Sequence, residues 1–297
     1  MQIGRVSTAM VTPFLPDGSI HYEMVAKLIE HLIATGTDSL VVCGTTGESP
    51  TLTDKEKADL IRFSVEAASK RIPVFAGTGS NSTRASIELT KIAEDAGVDG
   101  IMLVTPYYNK PDQRGMYEHF RLIAAETKLP VLLYNIPGRS VVNMLPETVL
   151  ELSKIPNIMA IKEAGGNLEQ MSDIIADCPD DFAVYSGDDG LTLPLLSIGG
   201  AGVVSVASHV VGEDMQKLIR AFEEGRHSDA ANIHHAMLPL IRALFAKPNP
   251  VPVKYALSKL GLEVGSVRLP LVDMTDEEKS EFDQAWELYE TKRKQFK

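Results

Sequence analysis

Short apolar runs rich in β-branched residues recur along the chain, and a stretch with helical periodicity follows each of them. Successive runs start about 20 to 35 residues apart, which is the length of one βα unit. Nearly continuous apolar strands are typical of a parallel sheet that is buried on both faces. We therefore predict eight strands, at Val6–Val11, Ser39–Cys43, Val74–Gly77, Gly100–Val104, Val131–Asn135, Ile158–Lys162, Ala183–Ser186 and Gly202–Val206.

Eight βα units in succession predict a (β/α)₈ TIM barrel. The alternative is a doubly wound open sheet, which normally carries a glycine-rich phosphate loop after its first strand. Thr12-Pro13-Phe14 stands at that point instead. Helix starts are well marked: Thr53 and Glu56 have the spacing of a capping box, and Ser82 precedes an amphipathic stretch that ends before Gly97.

The alternation of predicted strands and helices stops at about Gly225. Beyond it, Arg226–Ala246 has helical periodicity, prolines between positions 248 and 252 interrupt, and a second helix is predicted through Tyr255–Leu260. Thr275-Asp276-Glu277-Glu278 opens a last helix with a capping box. We predict a barrel domain over residues 1–225 and a small C-terminal helical appendage over residues 226–297.

Composition narrows the class of protein. The 297 residues are 44% hydrophobic and 23% charged, as in ordinary globular proteins, and a net charge of -11 argues against a nucleic-acid partner. Two cysteines, Cys43 and Cys178, are too few for a disulfide framework and indicate core thiols in a reducing compartment. Neither a signal peptide nor an apolar run of about 18 residues is present, so we expect a cytoplasmic protein with no membrane partner.

The sixth predicted strand ends in a lysine, Lys162. Strand alternation predicts that Ile158, Ala160 and Lys162 share one face, with Met159 and Ile161 on the other. Desolvation disfavours a charged amine and lowers its pKa from about 10.4, and a neutral amine is a nucleophile toward carbonyl compounds. The alternative is a strand-end lysine whose amine simply reaches solvent.

Polar residues follow other strands at the end where barrel active sites are built. After the second strand, Thr45 and Thr46 lie within Gly44–Glu48, where hydroxyl and backbone N–H groups suit a small carboxylate; a plain turn explains the same glycines. After the fourth strand come two adjacent tyrosines, Tyr107 and Tyr108. Exposed aromatic pairs are costly without a partner, so these indicate either a subunit interface or a catalytic role.

The fifth strand adds a phenol and is followed by a guanidinium. Tyr134 shares a face with Leu132, and its strand should neighbour that of Lys162 at about 4.8 Å, which brings the hydroxyl within reach of the amine. A phenol beside an amine can move the protons that imine formation requires. Arg139 follows this strand and is either an anion receptor or half of a surface ion pair.

The last two strands end in Gly187-Asp188-Asp189 and Val204-Ser205. The acidic pair raises the question of a metal, but the seven histidines show no ligand spacing, and Asp189 is well placed to start a helix. We therefore expect no metal.

Four motifs at strand ends carry a resemblance to a known family. They are Gly44-Thr45-Thr46-Gly47-Glu48, Tyr107-Tyr108, Tyr134-Asn135-Ile136-Pro137-Gly138-Arg139 and Ile161-Lys162-Glu163. Together they resemble the 4-hydroxy-tetrahydrodipicolinate synthase (dihydrodipicolinate synthase) family, a class I pyruvate-dependent lyase/aldolase family, over essentially the whole chain. A pyruvate-dependent sugar-acid lyase such as N-acetylneuraminate lyase is the alternative, although Gly138-Arg139 looks like the synthases. The non-enzyme alternative is a catalytically silent barrel acting as a binding protein.

The resemblance implies Schiff-base condensation of pyruvate with L-aspartate 4-semialdehyde to give 4-hydroxy-tetrahydrodipicolinate, in diaminopimelate and lysine biosynthesis. It also implies a covalent pyruvate imine on Lys162 and no separate cofactor. It implies roles for eight residues of this chain. Those that form the imine or relay protons are Lys162, Tyr134, Thr46 and Tyr108. Those that bind or orient substrate are Thr45, Thr46, Arg139, Gly187 and Val204.

The resemblance also implies assembly and regulation. The tyrosine matching Tyr108 enters the site of a neighbouring subunit, so we expect a homotetramer built as a dimer of dimers. Lysine-inhibited members bind lysine in a cleft between subunits. In this chain Asp54 and Lys57 stand where regulated bacterial members carry histidines, and Ala85 stands where they carry a glutamate. We therefore expect weak inhibition by lysine.

Overall fold

A computed structural model describes residues 3–296 of the chain. Its eight parallel strands close into a barrel in chain order, and β8 pairs with β1 to complete the ring. The strands are β1 Val6–Ala9, β2 Ser39–Val42, β3 Val74–Gly77, β4 Gly100–Val104, β5 Val131–Asn135, β6 Ile158–Glu163, β7 Ala183–Ser186 and β8 Gly202–Ser205. All eight predicted strands are confirmed, with ends that move by no more than about two residues.

Helices follow the strands and form the outer layer. Within residues 3–296 they are α1 Tyr22–Ala34, α2 Asp54–Ala68, α3 Thr83–Asp95, α4 Gln113–Ala125, α5 Pro137–Ser140, α6 Pro146–Ser153, α7 Leu168–Asp177, α8 Thr192–Ser197, α9 Ser208–Glu223, α10 His227–Leu244, α11 Val251–Ser258 and α12 Asp276–Arg293. Both predicted capping boxes are present, at Thr53 with Glu56 and at Thr275 with Glu278, and Ser82 caps α3. Across the described chain, every helix falls short of what a membrane crossing requires.

Successive residues along each strand point alternately into two separate hydrophobic cores. Outward-facing residues such as Leu40 and Leu133 pack against the helices, and inward-facing residues such as Val41, Phe75 and Leu132 fill the barrel. Both faces of each strand are therefore apolar, as a parallel barrel requires. The predicted core cysteines are both buried free thiols.

One prediction about β6 is wrong. The register between β5 and β6 shifts at the start of the pair, so that Leu132 lies opposite Ala160 and Met159 is skipped. This irregularity adds one residue to β6 and turns Ile158 outward into the core between barrel and helices, away from the face of Ala160. Met159, predicted to share the face of Ile161, packs against the inner core with Ala160 instead. From Ala160 onward the alternation is regular, and Lys162 keeps the inward face that was predicted for it.

The C-terminal helices pack against the barrel rather than apart from it. α10 matches the predicted helix, whereas α11 begins at Val251, earlier than predicted, with Pro252 in its first turn, where a missing N–H costs nothing. α12 is anchored by the buried carboxylate of Asp214 on α9, which accepts a hydrogen bond from Tyr289 at 2.5 Å. The predicted division at residues 225 and 226 falls in the turn between α9 and α10, and remains a prediction.

Candidate active site

Lys162 lies on the inward face of β6 and is 5% exposed. Burial lowers the pKa of its amine to about 8; the carboxylate of Asp189 opposes this shift, and the guanidinium of Arg139 adds to it. Nζ lies 4.3 Å from the centroid of the Tyr134 ring. The amine is thus neutral in about one molecule in ten at pH 7, far more often than an unperturbed lysine, and the neutral form is the nucleophile toward carbonyls.

Tyr134 stands directly beside Lys162 on the neighbouring strand, as predicted, because the two residues are register partners in the β5–β6 pair. Burial raises the pKa of the phenol to about 12; the charge of Arg139 and a hydrogen bond with Thr45 reduce that shift. The phenol therefore keeps its proton at neutral pH, so that it can donate to a reacting oxygen or nitrogen.

The loop after β2 carries Thr45 and Thr46 to the same place. Its backbone turns sharply, with positive φ at Cys43 and Glu48. Thr46 is buried, and its Oγ1 accepts a hydrogen bond from Nδ2 of Asn249 at 2.8 Å. The two hydroxyls therefore enter the site from the strand opposite β6 in the ring.

Gly187 makes room for the lysine. A Cβ at this position would lie 3.0 Å from Cε of Lys162 and 2.6 Å from Cβ of Ala164. Contacts this short require a neighbour to move. Glycine at the end of β7 therefore lets the lysine side chain lie against backbone.

These side chains surround one cavity of about 450 Å³ at the C-terminal ends of the strands. Six of the eight predicted site residues line it: Lys162, Tyr134, Thr45, Thr46, Arg139 and Gly187. Val204 does not line it and is buried in the inner core with Tyr185. Tyr108 does not reach it, since its side chain is 88% exposed on the loop after β4.

A second cavity of about 480 Å³ adjoins the first and shares Thr45, Tyr134 and Arg139 with it. It also contains Asp54, Lys57, Ala85, Tyr107 and Glu88. Arg139, which is exposed, therefore stands between the two cavities, where its fork of N–H donors is open to an anion.

The carboxylate of Asp189 was missed as a component of the site. Asp189 was expected to start a helix, but it is the first residue of a short 3-10 turn, Asp189–Leu191, and the side chain that caps this turn is that of Asp188, which accepts from the N–H of Gly190. Asp189 is 2% exposed, and its oxygens accept hydrogen bonds from Ser205 and from the backbone N–H groups of Val206 and Ala207. Burial raises its pKa, and these hydrogen bonds act against the rise. The only sequence signal was the acidic pair at the end of β7.

Residues from α10 and the following turn also enter the site, and nothing in the sequence marked them. Asn249, Arg242 and Phe245 line the cavity that contains Lys162. On the outward face of β6, Glu163 accepts hydrogen bonds from Asn135, Gln170 and the backbone of Gly165, which fixes the strand end that carries the lysine. No group of three or more potential ligand side chains in residues 3–296 is placed to hold a metal ion.

Comparison with known proteins identifies relatives of this chain. The sequence profile of the Dihydrodipicolinate synthetase family matches residues 2–288. A 4-hydroxy-tetrahydrodipicolinate synthase of Bacillus subtilis (strain 168) is 59% identical over 280 residues, which are 94% of this chain and 97% of that relative.

Solved structures show the same likeness. The crystal structure of a dihydrodipicolinate synthase from Bacillus anthracis superposes with a TM-score of 0.96 at 54% identity, covering 97% of this chain and 98% of that one. The synthase of Cyanidioschyzon merolae, solved with lysine bound, gives a TM-score of 0.95 at 48% identity, covering 97% and 98%. This chain belongs to the dihydrodipicolinate synthetase family.

Proposed function

We propose that this chain catalyses the condensation of pyruvate with L-aspartate 4-semialdehyde to give 4-hydroxy-tetrahydrodipicolinate, the reaction for which its relatives are named. The observation that carries the proposal is Lys162: a buried amine with a pKa of about 8, beside a protonated phenol, in a cavity at the strand ends. The reaction serves lysine and diaminopimelate synthesis, and we assign the enzyme to the cytoplasm on that ground.

The chemistry begins at Nζ of Lys162. The neutral amine adds to the keto carbon of pyruvate, and water leaves to give an imine. Loss of a methyl proton then gives an enamine, whose carbon attacks the aldehyde carbon of the semialdehyde and forms the new C–C bond. The amino group of the semialdehyde closes the ring onto the imine carbon and displaces the lysine. The covalent imine carries the reaction, and the proposal includes no metal or cofactor.

The neighbouring groups move protons and hold charge. Tyr134 and Thr46 lie in the cavity as hydroxyl donors for the addition and dehydration steps, and Thr45 orients Tyr134 through their hydrogen bond. Arg139 faces the cavity mouth and suits the carboxylate of the semialdehyde. The backbone of Gly187, whose N–H donates to the carbonyl of Glu163 on β6, and the backbone of Val204 on β8 are assigned the remaining contacts with substrate.

Tyr108 and the assembly belong to the same proposal. Tyr107 and Tyr108 are 39% and 88% exposed. Exposing these aromatic rings to water costs free energy, and burial against a partner subunit would remove that cost. We propose a homotetramer, a dimer of dimers, in which Tyr108 completes the relay of its neighbour. Tyr108→Phe should lower kcat by about 10² or more while pyruvate is still trapped on the enzyme. Full activity in a sample shown to be monomeric by sedimentation would contradict this assembly.

Borohydride trapping tests the central proposal. Incubation with pyruvate and borohydride should add the mass of the reduced pyruvate adduct to the peptide containing Lys162, and Lys162→Ala should abolish the addition. Lys254 is an internal control, because it is equally buried but paired with Glu48 at 2.7 Å. Labelling of the Lys254 peptide, or no labelling at all, would refute the assignment.

A coupled assay separates the enzyme alternatives. Purified protein is supplied with pyruvate and either L-aspartate 4-semialdehyde or an N-acyl sugar, and the semialdehyde alone should be consumed. Turnover of the sugar without the semialdehyde would establish a sugar-acid lyase. Trapping without turnover of either would favour a pyruvate-binding barrel.

A further inference from the structure

The loop that carries Thr46 is fastened to the C-terminal appendage. Nδ2 of Asn249 donates a hydrogen bond to Oγ1 of Thr46 at 2.8 Å. The two residues are 7% and 3% exposed, and both line the cavity that contains Lys162. The contact joins positions that are 203 residues apart in the chain.

Further contacts fix this arrangement on both sides. Glu48, two residues beyond Thr46, forms an ion pair with Lys254 of α11 at 2.7 Å, and the two side chains are 1% and 4% exposed. The second oxygen of Glu48 accepts a hydrogen bond from the backbone N–H of Arg268 at 2.8 Å. The guanidinium of Arg268 donates to the carbonyl of Thr51, also at 2.8 Å. The loop is therefore held in place relative to Asn249.

We propose that Asn249 is a positioning residue that sets the direction of the Thr46 hydroxyl. A hydroxyl has one hydrogen to donate and two lone pairs that accept, whereas an amide nitrogen only donates. Because Nδ2 occupies a lone pair of Thr46 Oγ1, the hydroxyl hydrogen cannot point toward Asn249 and is left for a group in the cavity. Asn249 thereby makes the Thr46 hydroxyl a hydrogen-bond donor toward the substrate in the cavity. This role rests on the proposed function of the cavity.

Two substitutions test the direction of this hydrogen bond. Asn249→Ala removes the Nδ2 donor. Asn249→Asp keeps the shape of the side chain but replaces the amide with a carboxylate, which accepts a hydrogen bond from the Thr46 hydroxyl and draws its hydrogen away from the cavity. Each should lower kcat by about tenfold or more at pH 8. Wild-type kcat in Asn249→Asp would show that the amide accepts from Thr46, and would overturn the proposal.

A double-mutant cycle shows whether Asn249 acts through Thr46. In a Thr46→Val background, which has no hydroxyl to orient, Asn249→Ala should cause little further loss of kcat. Independent effects that multiply would overturn the proposal. Asn249→Asp keeps the test decisive if the alanine variant fails to fold, and thermal unfolding by circular dichroism is measured for every variant.

Asn157→Ala is the matched control. Nδ2 of Asn157 donates to the carbonyls of Ala124 and Thr127 at the opposite end of the barrel, just before β6. This variant should lower the melting temperature and keep the wild-type kcat, and an equal loss of kcat would assign the Asn249 effect to general destabilisation. Wild-type protein that fails to trap pyruvate would overturn the proposed function, and this inference with it, before any variant is compared.

Discussion

Two buried lysines should respond in opposite ways to the same substitution. Lys162 is 5% exposed and Lys254 is 4% exposed. Lys254 is paired with Glu48 at 2.7 Å, whereas Lys162 forms no ion pair within residues 3–296. Methionine has nearly the volume of lysine and carries no charge. We expect Lys162→Met to stabilise the fold at pH 7 and Lys254→Met to destabilise it.

The magnitude for Lys162 follows from its pKa. Burial lowers that pKa from 10.5 to about 8, so at pH 7 the folded protein holds a proton about 300-fold more weakly than the unfolded chain, a cost of about 3 kcal/mol. Since the unfolded state binds the proton more tightly, stability rises with pH between about 8 and 10.5. Removing the amine should gain roughly 1 to 3 kcal/mol at pH 7 and little at pH 10.5.

The opposite sign for Lys254 comes from its partner. Lys254→Met leaves the carboxylate of Glu48 buried at 1% exposure with its ion-pair partner gone. Breaking a buried pair in this way typically costs about 3 to 5 kcal/mol. The two variants therefore distinguish a buried amine that is unpaired in the described chain, which lowers the stability of the fold, from a paired buried amine, which contributes to that stability.

Differential scanning calorimetry at a fixed protein concentration measures both effects. At about 2 °C per kcal/mol for a chain of this size, Lys162→Met should melt about 2 to 6 °C above the wild type at pH 7, and Lys254→Met clearly below it. The reasoning about Lys162 is refuted if its variant melts below the wild type at pH 7. It is refuted equally if the gain is the same at pH 7 and at pH 10.5.

Three further outcomes are expected. The rate of pyruvate trapping should rise with pH to a midpoint near the Lys162 pKa of about 8, and a midpoint above 10 would show an unperturbed amine. Gly187→Ala should fold, by circular dichroism, yet trap pyruvate at least about tenfold more slowly, because the new Cβ would lie 3.0 Å from Cε of the lysine; unchanged trapping would contradict this. Millimolar L-lysine should inhibit little in steady-state assays, since Ala85 supplies no counter-charge and Lys57 faces the same cavity; a submillimolar inhibition constant would overturn this.

Hydrophobic periodicity was sufficient to predict the barrel because each βα unit is a local pattern in the sequence. A strand such as Ile101–Leu103 is apolar on both faces whatever its neighbours are, so its place in the sequence can be read alone. The outward turn of Ile158 could not be read in this way. It depends on the register between β5 and β6, which two chain segments decide together.

The same distinction applies to the active site. Thr45, Thr46, Tyr134 and Lys162 come directly after or at the end of strands, where the barrel itself brings them together. Asn249 belongs to the turn between α10 and α11, and only the packing of those helices on the barrel places it beside the loop after β2. No spacing in the sequence encodes that contact.

The reactivity of Lys162, like the position of Asn249, depends on tertiary structure. The pKa of Lys162 is a balance: burial lowers it, the Asp189 carboxylate raises it and Arg139 lowers it. Asp189 is available for this balance because Ser205 and two backbone N–H groups stabilise its buried charge. A protonated imine carries the positive charge of the lysine it replaces, so the same carboxylate stabilises the intermediate as well as the free cationic amine. The reactive form of the lysine on β6 therefore depends on groups from α5, from the turn after β7 and from the end of β8, and the tertiary fold sets its chemistry.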